Sequence, residues 1–236
     1  MKKVVLLLLL LTAFLSCNGQ ENKTTYTQKV EYGLKGAVKK VTSYIYKVEN
    51  GKIPAKTAKY NNGKTTKTFD SMGNLVTMNK LWDLGFLGKS EYSYLYFGRG
   101  KEISFKETAH LHNGKVTKRT CKYVWSDDYN YTILSPDDNT YTIMYTLDKN
   151  YQIVKSIFKK NGDIESIDET ETIYNNDKIQ ETKTKMTYES LDGKIIYQIQ
   201  VAQKYDLRGN PTVTYIYGDL NKQKLESVIY NEYSYY

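Results

Sequence analysis

Short turn signals recur about every ten to sixteen residues from Leu34 to the end of the chain, and this punctuation limits the fold more than any other feature. Asn62-Gly63, Asn113-Gly114, Asn161-Gly162 and Asp192-Gly193 are strong hairpin signals, because both residue types tolerate the positive φ that tight hairpins need. Between them the residues alternate. Tyr141, Ile143, Tyr145 and Leu147 share one face against Thr140, Thr142, Met144 and Thr146, and Ile195, Tyr197, Ile199 and Val201 repeat the pattern against Gln198 and Gln200. Connections this short make consecutive strands antiparallel neighbours. The spacing predicts an all-β chain with few helices, a long antiparallel meander of roughly a dozen strands, shaped as an open curved sheet, a half-barrel or a β-roll. Composition agrees: the chain has 24 Tyr, a good strand residue, and Ala is scarce outside the first 20 residues.

Such strands need only a thin apolar face, since a tyrosine ring can be half-buried with its hydroxyl in water. In Lys178-Ile179-Gln180-Glu181-Thr182-Lys183-Thr184-Lys185 neither parity is apolar. That segment reads as a strand wetted on both faces or as a projecting hairpin, with its lysines discouraging edge pairing.

The first residues set the address. Met1-Lys2-Lys3 precede an apolar run from Val4 to Leu11 that is too short to span a bilayer and reads as a secretory signal. It ends in Leu15-Ser16-Cys17, which resembles the lipobox of bacterial lipoproteins. That resemblance implies a signal peptide over residues 1–16, lipidation at Cys17, and a membrane partner reached through the lipid anchor, in the cell envelope at the outer membrane. Residues 17–32 then read as the lipidated cysteine and a polar, flexible tether, and residues 33–236 as a single domain. With Cys17 acylated, Cys121 has no disulfide mate, so stability must come from packing and strand pairing.

Two turns carry a longer signature. Phe69-Asp70-Ser71-Met72-Gly73-Asn74 and Tyr205-Asp206-Leu207-Arg208-Gly209-Asn210 place Asp first and Gly fourth, the spacing of a type I turn closed by a positive-φ residue. Degenerate copies lie at Leu147-Asp148-Lys149-Asn150-Tyr151 and at Phe158-Lys159-Lys160-Asn161-Gly162-Asp163-Ile164. These units resemble the YD (RHS-type) repeats of bacterial surface proteins, and Leu34-Lys35-Gly36-Ala37-Val38-Lys39-Lys40-Val41 resembles the opening strand of a broad class of envelope lipoproteins. The YD resemblance implies a hairpin scaffold, in some members associated with carbohydrate, whose repeats hold no catalytic residues. Phe69, Asp70, Gly73, Asn74, Tyr205, Asp206, Gly209 and Asn210 are accordingly structural.

Candidate chemistry is sparse. His110 and His112 alternate on one predicted strand, but Cys121 falls roughly 13 Å away at strand rise, so no third ligand joins them and no metal site is expected. Asp127-Asp128 and Asp137-Asp138 sit where turns are predicted and lack the glycine and distal glutamate of a calcium loop. No nucleophile elbow or phosphate-cradling loop is present, so neither an enzyme nor a cofactor is expected. The lysines are spread among acidic residues, which reads as a solvated surface and not as a nucleic-acid interface. The aromatic C-terminus, Tyr230 to Tyr236, resembles the assembly signal of outer-membrane barrels, yet most strands carry Lys or Glu on both faces, so it reads as the closing strand of the meander. The expectation is a non-enzymatic scaffold or binding module that meets a glycan or an envelope protein through a tyrosine face, with Tyr92, Tyr94, Tyr96, Tyr215 and Tyr217 as possible contacts. A lipid or lipoprotein carrier built on an open half-barrel is the alternative, and an enzyme with an unrecognised site is a third.

Overall fold

The computed structural model describes residues 25–57, 63–83, 85, 88–136 and 138–236; the segment expected as signal peptide and Cys17 lie outside them. Fourteen antiparallel strands follow in chain order: β1 (Val38–Lys47), β2 (Gly63–Phe69), β3 (Leu75–Asp83), β4 (Lys89–Arg99), β5 (Glu102–His110), β6 (Val116–Trp125) and β7 (Asn130–Ser135), then β8 (Asp138–Leu147), β9 (Ile153–Lys160), β10 (Asp163–Asn175), β11 (Lys178–Tyr188), β12 (Lys194–Tyr205), β13 (Pro211–Tyr217) and β14 (Leu225–Tyr235). Each pairs with its neighbour in sequence, and β14 returns to pair with β1, Tyr44 opposite Tyr230, so the sheet closes into a barrel. The meander stands, but it is not an open sheet, a half-barrel or a β-roll. An even number of antiparallel strands brings the last alongside the first, and pairing them removes two rows of unsatisfied backbone groups.

The segment expected as tether is corrected over residues 25–32. Thr27 caps a single helical turn, α1 (Gln28–Glu31), by accepting the Val30 amide at 3.3 Å. Tyr26, Gln28 and Glu31 are all buried in one end of the barrel. Tyr26 packs edge-on against Trp125 at 4.7 Å and Tyr151 at 5.6 Å. A polar sequence concealed a plug, because its buried ring, Tyr26, donates its hydroxyl to Glu31 at 2.5 Å within the same segment.

The Asp-x-x-Gly units form as expected and also hold that plug. Asp70 Oδ1 accepts the amides of Met72 at 3.0 Å and Asn74 at 2.9 Å, and Asp206 Oδ1 accepts those of Arg208 and Asn210 at 2.9 Å each. Gly73 and Gly209 take φ of 91° and 86°, which a side chain would strain. The copy at Asp148 repeats the geometry with Tyr151 at φ 61°, a non-glycine residue held there by its ring packing on Tyr26 and Tyr129. The residue after each turn reaches inward or toward a neighbouring loop. Asn210 Oδ1 accepts the Lys35 amide at 2.8 Å and its Nδ2 donates to the Lys35 carbonyl at 2.9 Å. Gln152 Nε2 donates to the Val30 carbonyl, and Asn74 Oδ1 accepts the Gly100 amide at 3.3 Å.

Sidedness changes around the ring. From β4 to β8 the buried apolar residues face inward, and the outer positions of β5 and β6 include Lys106, Thr108, Lys118, Thr120 and Lys122, with Val116 and Val124 exposed among them. From β11 through β14 to β1 the inner face is mixed, with Thr182, Gln200, Thr214 and Asn231 among Val41, Ala202, Ile229 and Tyr233. Here buried apolar residues lie on both faces: Val41 and Ile216 inside, and Ile199 and Val228, both 0% exposed, outside. Two loops cover the outer pair. The β13–β14 loop brings Lys222 to Glu181 and Leu220 beside Tyr197, and the loop after β1 accepts the Tyr46 hydroxyl at Lys56 and the Tyr230 hydroxyl at Pro54. The Lys178–Lys185 segment is therefore neither projecting nor wetted on both sides in the expected sense: its threonines face the lumen and its lysines the exterior.

Candidate functional site: the barrel lumen

The aromatic side of the lumen encloses a cavity of about 680 Å³. Alternation builds its wall, since every second residue of a strand faces inward. Tyr94 and Tyr96 meet Phe105 at 5.9 and 5.1 Å, Phe105 meets Tyr123 at 6.3 Å, Tyr123 stacks on Tyr131 at 4.8 Å, and Tyr131 stacks on Tyr145 at 5.0 Å. The rings form a continuous belt from β4 to β8. The plug supplies the floor through Glu31 and Tyr32; Trp82 and Tyr141, each 38% exposed, lie at the opposite end of their strands from the plug and mark the mouth.

Charge is set into this belt. Glu107 and Arg119 are directly opposite across β5 and β6 and form a two-point pair, Nε to Oε1 at 2.8 Å and Nη2 to Oε2 at 3.0 Å. Burial works to lower the guanidinium's pKa, but the hydrogen bond and charge of Glu107 outweigh it and raise it. Glu31 accepts the hydroxyls of Tyr26 at 2.5 Å and Tyr131 at 3.1 Å. Burial pushes its carboxyl up to about 7, with the two hydroxyls and Lys67 pulling the other way.

Two lysines differ from these. Lys67 on β2 and Lys80 on β3 both line the cavity, and the register sets them diagonally across adjacent strands, Lys67 opposite Met78 and Lys80 opposite Thr65. Among the described residues neither forms an ion pair; each instead lies over a ring, Lys67 above Tyr32 at 3.6 Å and Lys80 above Tyr94 at 5.5 Å. Burial, then the charge of Lys80, lowers Lys67 to about 8, and burial lowers Lys80. A second cavity, about 280 Å³ and lined by the inner faces of β11 to β14 and β1, shares Tyr32, Ser43 and Lys67 with the first.

The residues singled out in the sequence separate into groups. Tyr94 and Tyr96 stand in the cavity wall; Tyr92 shares their face outside it. Tyr215 and Tyr217 are not with them: they alternate with inward Thr214 and point to the exterior of β13. Of the eight turn residues, Asp70, Gly73, Asn74, Asp206, Gly209 and Asn210 form or brace the turns, Phe69 is a buried core ring facing Tyr32 edge-on at 6.4 Å, and Tyr205 donates its hydroxyl to the Ile179 carbonyl at 2.9 Å. His110 faces outward at the end of β5, and His112 lies in the turn that Leu111 and Gly114 close at 2.9 Å, so the two do not share a strand face. No group of three potential metal donors exists among the described residues. Asp127 caps its own turn, accepting the amides of Tyr129 at 2.7 Å and Asn130 at 2.8 Å; Asp137 lies outside the described residues. Cys121 carries no disulfide and is buried in the cavity wall. Sequence reasoning missed Glu31, Lys67, Lys80, Glu107 and Arg119. The available signal was parity, because Met78, Lys80 and Trp82 alternate as cleanly as any apolar face.

No family model matches the chain, and neither does any curated protein. Among solved structures it is similar to a porin-like protein from Bacteroides uniformis, at 12% identity and a TM-score of 0.45, over 85% of this chain and 98% of that one.

Proposed function

We propose that this chain is a non-enzymatic binding protein of a bacterial envelope, anchored through Cys17, that holds a small amphipathic molecule inside its barrel. The observation that carries the reading is the lumen: about 680 Å³ of space bounded by stacked aromatic rings, with charged groups placed among them. Its size and its mixture of apolar wall with few polar groups suit small-molecule binding. The outer face supports a barrel standing in water. A lipid-facing barrel needs an apolar outer band about 25 Å tall, and Lys106, Lys118 and Lys122 occupy that face here, with Leu95, Phe97 and Val124 scattered among polar residues. Acylation at Cys17 would leave residues 18–24 between lipid and plug, a reach of roughly 25 Å at most. The plugged end then faces the membrane and the mouth faces away.

The carrier reading is thereby moved from an open half-barrel to a closed one. A second reading, a glycan or envelope protein on a tyrosine face, is favoured by Tyr215 and Tyr217, which share the exterior of β13. One experiment separates them. Ser135, buried at the cavity wall with an unpartnered hydroxyl, can be replaced by Phe to narrow the lumen without altering the exterior. The lumenal reading expects anilinonaphthalene sulfonate to bind the wild type at one molecule per chain, and Ser135→Phe to abolish it. Binding that survives Ser135→Phe but is lost in Tyr215→Ala with Tyr217→Ala places the site outside.

A further inference from the structure

The lumen contains more positive charge than its own carboxylates can answer. Arg119 is ion-paired with Glu107, its Nη2 donating to Oε2 at 3.0 Å and its Nε 2.8 Å from Oε1. Glu31 is engaged by two tyrosine hydroxyls, at 2.5 and 3.1 Å. Asp168 reaches Ser156 at 3.4 Å and does not line the cavity. Lys67 and Lys80 are left without an ion pair among the described residues, two ammonium groups on adjacent strands above ring faces, on which Glu31 and Glu107 act only through space. Placing two like charges side by side in a partly dry space costs free energy unless an anion joins them. A ring face gives a cation part of what it loses on leaving water, but it does not relieve the repulsion between the two. Lys67 also stands at the seam between the aromatic cavity and the second one, where a molecule with unlike ends would cross from one to the other.

We propose that the lumen takes an acidic amphiphile, a carboxylate or phosphate on an apolar body, whose head sits between Lys67 and Lys80 while the body lies against the Phe105, Tyr123 and Tyr131 rings. This rests on the lumenal reading given above and names the ligand class for it. The lysines act as point charges, which suits either head group, whereas the one guanidinium that could offer a planar fork is already committed.

The groups facing Lys67 set the pH dependence: Glu31 and Tyr32 from the plug, Lys80 from β3, Tyr94 and Tyr96 from β4, and Tyr233 from β14. The tyrosines stay neutral below pH 9, since burial raises the hydroxyls of Tyr32, Tyr94 and Tyr96. Affinity for an anion therefore falls as pH rises through about 8, where Lys67 loses its proton. Ionisation of Glu31 near 7 pulls in the same direction.

Titrating the mature chain with dodecanoate, dodecyl phosphate and dodecanol, read by the fluorescence of Trp82 in the cavity wall, tests the proposal. The expected result is at least tenfold tighter binding of one or both anions than of dodecanol at pH 7. That preference should shrink above pH 8 and collapse in a Lys67→Gln, Lys80→Gln double variant that still binds dodecanol. Equal binding of all three by the wild type overturns the acidic-ligand proposal and leaves the lumenal reading standing. No binding of any of them overturns both. If the double variant fails to fold, the head-group preference and pH profile of the wild type decide alone.

Discussion

The two halves of this barrel solve the same burial problem differently, one inside the sheet and the other on both of its faces. From β4 to β8 the core is inside, where Phe105 and Tyr131 are 5% and 2% exposed and the plug completes their packing. From β11 to β1 the inside mixes polar residues with Val41, Ile229 and Tyr233, and part of the burial moves outside, where Ile199 and Val228 are fully covered. A chain too poor in apolar residues to fill a fourteen-strand lumen can still close it if half the wall takes part of its burial elsewhere. The lumen that results has an aromatic side, a mixed side and cations near the seam.

The largest effects should come from reversing this sidedness. Phe105→Ala should cost about 3–5 kcal/mol and Ile199→Ala about 2–4 kcal/mol in denaturant unfolding, while their chain neighbours on the opposite face, Lys106→Ala and Gln200→Ala, should cost about 1 kcal/mol or less. Equal losses for Ile199 and Gln200 would erase the contrast between the halves.

The plug belongs to the aromatic half and confers a pH dependence. Glu31 titrates near 7 in the folded barrel and at the ordinary glutamate value of 4.5 in the unfolded chain, so the folded chain keeps a proton that the unfolded chain releases. The stability associated with this group is present in full at acid pH and is lost as pH rises through about 7, a fall on the order of 3 kcal/mol between pH 4 and 8. Glu31→Gln should flatten that slope and leave the protein more stable than wild type at pH 8. An unchanged slope would mean that the carboxyl is better solvated than its surroundings indicate.

The mixed half grips the plug through Asn210. Asn210→Ala strands both backbone groups of Lys35 and a bond to the Tyr235 hydroxyl at 2.8 Å, and should cost about 2 kcal/mol. Asn74→Ala, whose outward reach is a single 3.3 Å bond to Gly100, should cost about half as much. The smallest effect concerns the covering loop. Lys222→Ala leaves the buried Glu181 with only the 3.8 Å contact to Lys183, and should cost about 1 kcal/mol.

Much of this was legible before the structure. Turn spacing and period-two alternation carry the meander, and Asp70, Gly73, Asp206 and Gly209 form the turns that their order along the chain requires. Closure was not legible, because it depends on twist accumulated over all the strands and on a pairing between residues almost 200 positions apart, Tyr44 and Tyr230. The plug was hidden because Tyr26 and Glu31 look like any polar linker until they meet as a hydrogen-bonded pair. The lysines were hidden by a sound general rule, that lysine in a strand faces water. Lys67 and Lys80 obey it only in the sense that the face they occupy encloses a cavity; parity with Met78 and Trp82 marks that face for Lys80, and no such apolar alternation marks it for Lys67 in Gly63–Phe69.

The central claim is that this barrel binds inside its wall. A crystal structure of the mature chain with 12-bromododecanoate, read by the anomalous signal of bromine, tests it most directly. One bromine is expected inside the lumen against the aromatic belt, with the carboxylate between Lys67 and Lys80. A bromine on the exterior of the strands, or none bound at all, would contradict it.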